Sequence, residues 1–97
     1  MAKYIVLVNW TDQGIRNAKD TVKRAQAFRD MAKSMKVKVD EFFWTLGPYD
    51  LVCSLDAPDD ETMTRLGLML GMQGNVRTVT LRAFGEAEME HILQKLA

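Results

Sequence analysis

The centre of the chain constrains the fold most. Residues 37–56 read VKVDEFFWTLGPYDLVCSLD, two apolar runs on either side of Gly47-Pro48-Tyr49-Asp50. Runs of β-branched and aromatic residues around a Gly-Pro turn predict two antiparallel strands, 37–46 and 51–56, joined as a hairpin. Phe42, Phe43 and Trp44 are consecutive. Side chains alternate along a strand, so at least one of these aromatics must point away from whatever covers its neighbours. The sheet that contains them is therefore apolar on both faces.

The flanks extend this hairpin into a complete pattern. YIVLVN, residues 4–9, predicts a short first strand buried on both faces. WTDQGIRN, residues 10–17, is rich in turn formers and predicts a loop. Over 18–35, Val22, Ala25, Phe28, Ala32 and Met35 recur at steps of three and four, one face of a helix, with Asp20 at its cap or first turn. After the hairpin, APDDE at 57–61 opens a second helix, with proline and acids at its positive end. That helix runs to about Met72 with Met63, Leu66 and Leu70 inward and Met69 as a further candidate; Gly71 and Gly74 stop it. Residues 76–84 alternate as a fourth strand, and 86–96 form a last helix with Met89, Ile92, Leu93 and Leu96 in a stripe.

The order β-α-β-β-α-β-α is two βαβ-like halves joined by a hairpin, the ferredoxin-like plait, an α+β fold. Ninety-seven residues make one domain, 1–97, with one core. In the plait both helices cover one sheet face and leave the other open. An open apolar face calls for a partner, most simply a second copy packed sheet on sheet into a dimeric α/β barrel.

Charge and cysteine content narrow the function classes. Thirteen basic and thirteen acidic residues cancel. That argues against nucleic-acid binding, which needs a clustered cationic face, and it permits self-association into a homodimer or higher homo-oligomer. Cys53 is the lone cysteine, so no internal disulfide forms, which suits a reducing, cytoplasmic setting. The apolar run Tyr4–Val8 is too short for a signal-peptide core or a membrane span, and no membrane partner is expected.

Several residues carry chemistry, each beside a structural alternative. Tyr49 and Asp50 follow the Gly-Pro turn: a phenol and a carboxylate for proton transfer or ligand contact, or a turn closed by Asp50 with Tyr49 packed over it. Asn9, Trp10 and Thr11 bring an amide, an indole and a hydroxyl to the end of the first strand, as a site wall or as a plug for the core. On the fourth strand Thr78, Thr80 and Arg82 share one face, and Arg77, Val79 and Leu81 the other. Arg82 there suits a carboxylate or phenolate, or an ion pair. His91, the lone histidine, lies at the border of the last helix's apolar stripe, as a base, a haem ligand or a helix-end cation. Cys53 reads as a small core residue, Asp59-Asp60-Glu61 as a helix start and not a metal cluster, and the methionines chiefly as core filling. No metal site is expected. No GxGxxG or GxxxxGK pattern occurs, and no cofactor is expected.

The segments YIVLVNWTDQGIRN, FFWTLGPYDLV, APDDE and GNVRTVTLRAF together resemble the GYD-domain family of small bacterial proteins, across nearly the whole chain. Here Pro48 separates Gly47 from Tyr49-Asp50. The resemblance implies the dimeric α/β-barrel fold, a group that includes cofactor-free monooxygenases, lactone isomerases, haem enzymes and ligand-binding domains. The expected function is binding of a small apolar or aromatic molecule, with Trp10, Trp44, Tyr49 and Arg82 as walls and Asn9, Thr11, Asp50 and Thr80 as polar contacts. The alternatives are a cofactor-free enzyme on an aromatic or lactone-like substrate, using Tyr49, Asp50 or His91, and a structural assembly module.

Overall fold

The computed structural model describes residues 1–96; Ala97, the last residue of the expected domain, lies outside them. The elements run β1 (Ala2–Trp10), α1 (Asp12–Arg16), a 3-10 turn (Ala18–Asp20), α2 (Thr21–Ser34), β2 (Lys38–Trp44), β3 (Leu51–Ala57), α3 (Asp60–Met72), β4 (Val76–Ala83) and α4 (Glu86–Leu93). The strands form one antiparallel sheet in the order β2-β3-β1-β4. This is the ferredoxin-like plait that the central hairpin and its flanks predict.

Helices α2 and α3 cover one face. There Tyr4, Val6 and Val8 of β1 and Leu51, Cys53, Leu55 and Ala57 of β3 are buried, with Ala25, Phe28 and Ala32 of α2 and Met63 and Leu66 of α3. Leu55 and Leu66 are fully enclosed. Burying each such side chain is worth about 1.5–3 kcal/mol. Burial also pushes the Cys53 thiol up to about 11, so at neutral pH it is a small apolar group and not a nucleophile. Helix α2 ends in a Schellman motif: Lys36 takes φ 63°, its N–H donates to Lys33 O, and Val37 N–H donates to Ala32 O.

The other face is open. Period two places Ile5 and Leu7 of β1, Phe43 of β2, Val52 of β3, and Val79 and Leu81 of β4 on it. Phe43 is 54% exposed, Val79 49% and Leu81 44%. Of the three consecutive aromatics, Phe42 and Trp44 turn to the helices and pack with tilted rings 5.1 Å apart, while Phe43 faces out. The expectation that β1 is buried on both faces is thus corrected: among the described residues no element covers Ile5 and Leu7.

Three further expectations change. Residues 10–17 are not a plain loop, because Thr11 caps the one-turn helix α1 within them. Val22, in the first turn of α2, is 65% exposed and outside the buried stripe Ala25, Phe28 and Ala32. Met69 is also exposed, leaving Met63, Leu66 and Leu70 as the inward stripe of α3.

Helix α4 buries none of its residues. The radius of gyration is 14.7 Å, against roughly 12.5 Å for a compact chain of this length. The excess fits α4 standing off the body, with Met89, Ile92, Leu93 and Leu96 exposed along its stripe.

Candidate functional site

The carboxyl end of β1 gathers most of the residues singled out in the sequence. Asp50 Oδ2 accepts from the Trp10 backbone N–H at 2.9 Å, its own N–H donates to Val8 O at 2.8 Å, and its carbonyl accepts from Thr45 N–H at 2.9 Å. The first two bonds tie the β2–β3 connection to the end of β1, and the third closes the connection on itself. Gly47, at φ 132°, makes the preceding bend in a region that favours glycine. The Tyr49 carbonyl accepts from the Thr45 hydroxyl. Asp50 is therefore the corner post of this hairpin.

The Asn9-Trp10-Thr11 segment is equally committed. The Thr11 hydroxyl donates to Gly74 O at 2.6 Å and accepts from Gly14 N–H at 3.1 Å, capping α1. Thr11 N–H donates to Asn75 O. The Gln13 amide donates to Gln73 O and to Asn75 Oδ1. A Cβ added to Gly14 would sit 1.9 Å from Asn75 O, so only glycine allows this approach. Arg24 closes the lock from α2 by donating to Gly14 O and Asn17 O. WTDQGIRN thus fastens the β1–α1 corner to the α3–β4 corner. Asn9 lies on the open face, paired with Arg77.

Beneath this lock Trp10, Phe28, Phe42, Leu51, Cys53 and Leu70 line a cavity of about 60 Å³. That is room for a few waters, well below the roughly 300 Å³ where small-molecule sites begin. Trp44 borders the same region and donates its indole N–H to Thr21 Oγ1 at 2.9 Å.

Thr80 and Arg82 lie elsewhere. Arg82 pairs with Tyr4 and Thr80 with Val6, so both face the helix side. Between β4 and α3 runs a groove of about 520 Å³, lined by Tyr4, Asp60, Met63, Thr64, Gly67, Leu68, Thr78, Thr80 and Arg82. The Tyr4 hydroxyl donates to Asp60 Oδ1, and this hydrogen bond, reinforced by burial, pushes the phenol above its ordinary range. Arg82 donates to Lys3 O, Ala83 O and Glu88 Oε2, and its guanidinium lies 4.6 Å from the Phe84 ring centroid and 5.7 Å from that of Tyr4.

The residues singled out as one site are therefore split. Asn9, Trp10, Thr11, Trp44, Tyr49 and Asp50 stand at one end of the sheet, and Arg82 at the other. His91 sits on α4 beside Phe84, Ala87, Glu88 and Ile92. Ala83 pairs with Lys3 while Asp50 holds Trp10, a separation of roughly 23 Å along β1 at about 3.3 Å per residue. His91 and the Tyr49–Asp50 pair do not share a site within one chain. Among the described residues no group of His, Cys, Asp and Glu is placed to hold a metal ion, and no helix is long and apolar enough to cross a membrane.

Tyr4 and Asp60 entered the groove unannounced. Tyr4 reads as a strand residue and Asp60 as a helix-start acid; the β1–β4 register brings Tyr4 to Arg82, and the Tyr4 hydroxyl brings in Asp60 from α3. Thr78 was legible, since it shares a face with Thr80 and Arg82.

Fold and site together define an α+β plait with an open apolar sheet face, a locked corner and a polar groove on its covered side. The chain belongs to the GYD domain family, whose model matches residues 4–93. It is 32% identical over 90 residues, 92% of this chain and 95% of the relative, to a "Glutamine synthetase and cystathionine beta-lyase binding protein" from Thermus thermophilus. The crystal structure of a protein from Thermus thermophilus matches with a TM-score of 0.56 at 28% identity, covering 88% of this chain and 95% of that one.

Proposed function

We propose that this protein is a homodimeric binding module that engages an enzyme partner. The observation that carries the proposal is the apolar strip Ile5, Leu7, Phe43, Val52, Val79 and Leu81 on a face that no element among the described residues covers. Charge supports a second copy as its occupant. Glu41 on β2 and Arg77 on β4 stand at diagonally opposite corners of the face, and neither has an ion-pair partner among the described residues. A two-fold axis through the strip sets Arg77 of one copy against Glu41 of the other, twice over. Four strands about 4.8 Å apart and about 23 Å long give a face on the order of 450 Å² in projection, about half a standard partner's share. The exposed stripe of α4 supplies further area. The dimer so formed is the α/β barrel.

The enzyme partner is argued from the relative, whose name states binding to glutamine synthetase and cystathionine beta-lyase. We place the module in the cytoplasm, where the lone thiol Cys53 stays reduced. Sedimentation velocity at micromolar concentration tests the first half: a dimer is expected, and a monomer sinks it. Sedimentation with purified glutamine synthetase of the same organism tests the second, where co-migration is expected and independent boundaries argue against that partner.

A second reading has its own observation. The groove between α3 and β4 falls within the size range of small-molecule sites and combines hydroxyls, a carboxylate and a guanidinium with the apolar side chains of Met63 and Leu68. It favours binding of a small molecule by the same module, on the sheet face opposite the dimer contact.

A further inference from the structure

Resting on the groove reading, we infer that the site between α3 and β4 binds the zwitterionic head of an α-amino acid, Arg82 taking the carboxylate and Asp60 the ammonium. The Tyr4–Arg82 pairing and the Tyr4–Asp60 hydrogen bond place the acid and the guanidinium at the same end of the groove. Steps of four along α3 carry the wall from Asp60 through Thr64 to Leu68. Steps of two along β4 carry the facing wall from Arg82 through Thr80 to Thr78. One end is thus charged with both signs, the middle is hydroxylic, and Leu68 lines the far end.

Both charged groups retain capacity. A guanidinium has five N–H donors, and the chain uses only three of Arg82's, on Lys3 O, Ala83 O and Glu88 Oε2. Those bonds and the Phe84 and Tyr4 rings hold its plane in place, so binding costs little side-chain ordering. Asp60 accepts from Tyr4 through Oδ1 alone. Neither Thr78 nor Thr80 donates its hydroxyl to another described residue in the chain's side-chain hydrogen bonds, and both line the groove. A ligand bearing only negative charge would meet Asp60, and one bearing only positive charge would meet Arg82. A molecule that carries a carboxylate and an ammonium on one carbon answers both.

The test is an NMR titration of the ¹⁵N-labelled full chain with L-alanine, L-serine and L-leucine, beside propionate and ethylamine as single-charge probes. The expected result is amide shifts confined to 60–68 and 78–82, with the single-charge probes at least about tenfold weaker. Asp60→Asn and Arg82→Gln should each weaken L-alanine by about tenfold or more. Thr80→Leu, which fills the groove without touching either charge, should block all probes in a chain whose remaining spectrum is unchanged. If propionate or ethylamine binds as well as the amino acids, the zwitterion assignment is wrong while the groove reading stands. Shifts from no probe, or shifts only outside the groove, overturn both.

Discussion

The two faces of β1 have opposite fates. Tyr4, Val6 and Val8 are at most 6% exposed, while Ile5 and Leu7, as apolar and in the same strand, are half-buried. The first set is satisfied within the chain, because α2 and α3 lie across it. The second meets no covering element among the described residues. One face therefore holds the fold together, and the other remains available for association. Changes on the covered face should cost stability, and changes on the open face should cost assembly.

The largest expected effect is on the covered face. Leu66→Ala, at a fully enclosed position, should destabilise the chain by roughly 2–5 kcal/mol in urea unfolding. An unchanged midpoint would mean that α3 is not part of the core. Gly14→Ala comes next: the added methyl meets Asn75 O, and the corner lock should open at a cost of about 1–3 kcal/mol. A melting temperature equal to the parent's would show the lock to be idle. Tyr4→Phe removes a hydrogen bond to a carboxylate and should cost about 1–2 kcal/mol.

The open face should behave in the reverse manner. Leu81→Asp, at a position 44% exposed, should change monomer unfolding by about 0.5 kcal/mol or less yet convert the dimer to monomer in sedimentation. If instead it unfolds the chain and leaves the association state alone, the contrast between the faces is false.

The smallest effect is one of pH. The Glu88 carboxyl is held below its ordinary value of 4.5, first by the Gly85 N–H and then by Arg82. A depressed carboxyl supports the folded state above its unfolded value and loses that support as pH falls through the folded one. Helix α4 should therefore loosen below about pH 4.5 while the sheet stays intact, seen as loss of amide protection in 86–93 alone. Equal protection at pH 3 and pH 7 would deny Glu88 this role.

Much of the fold was legible because local rules and global fold agree. The hairpin followed from Gly47-Pro48 between two apolar runs, the start of α3 from Asp59, which accepts from Thr62 N–H at 2.7 Å, and the β4 faces from alternation alone. The site was less legible. Tyr49–Asp50 has the residue types of a catalytic pair, yet Asp50 is a hairpin post whose partners, Val8 and Trp10, lie some forty residues away in sequence. WTDQGIRN was distinctive for a reason no single segment carries: Gly14 is required by the backbone of Asn75, a contact across the fold.

By itself, then, the sequence determined the four strands and the three longer helices, their order and the apolar character of both sheet faces, since periodicity and turn chemistry act over a few residues. Only the tertiary structure decided which apolar face is covered, which polar residues share a groove, and that α4 leaves its stripe unburied. Those outcomes depend on strand register and on where each helix lies across the sheet, long-range contacts that no local spacing encodes.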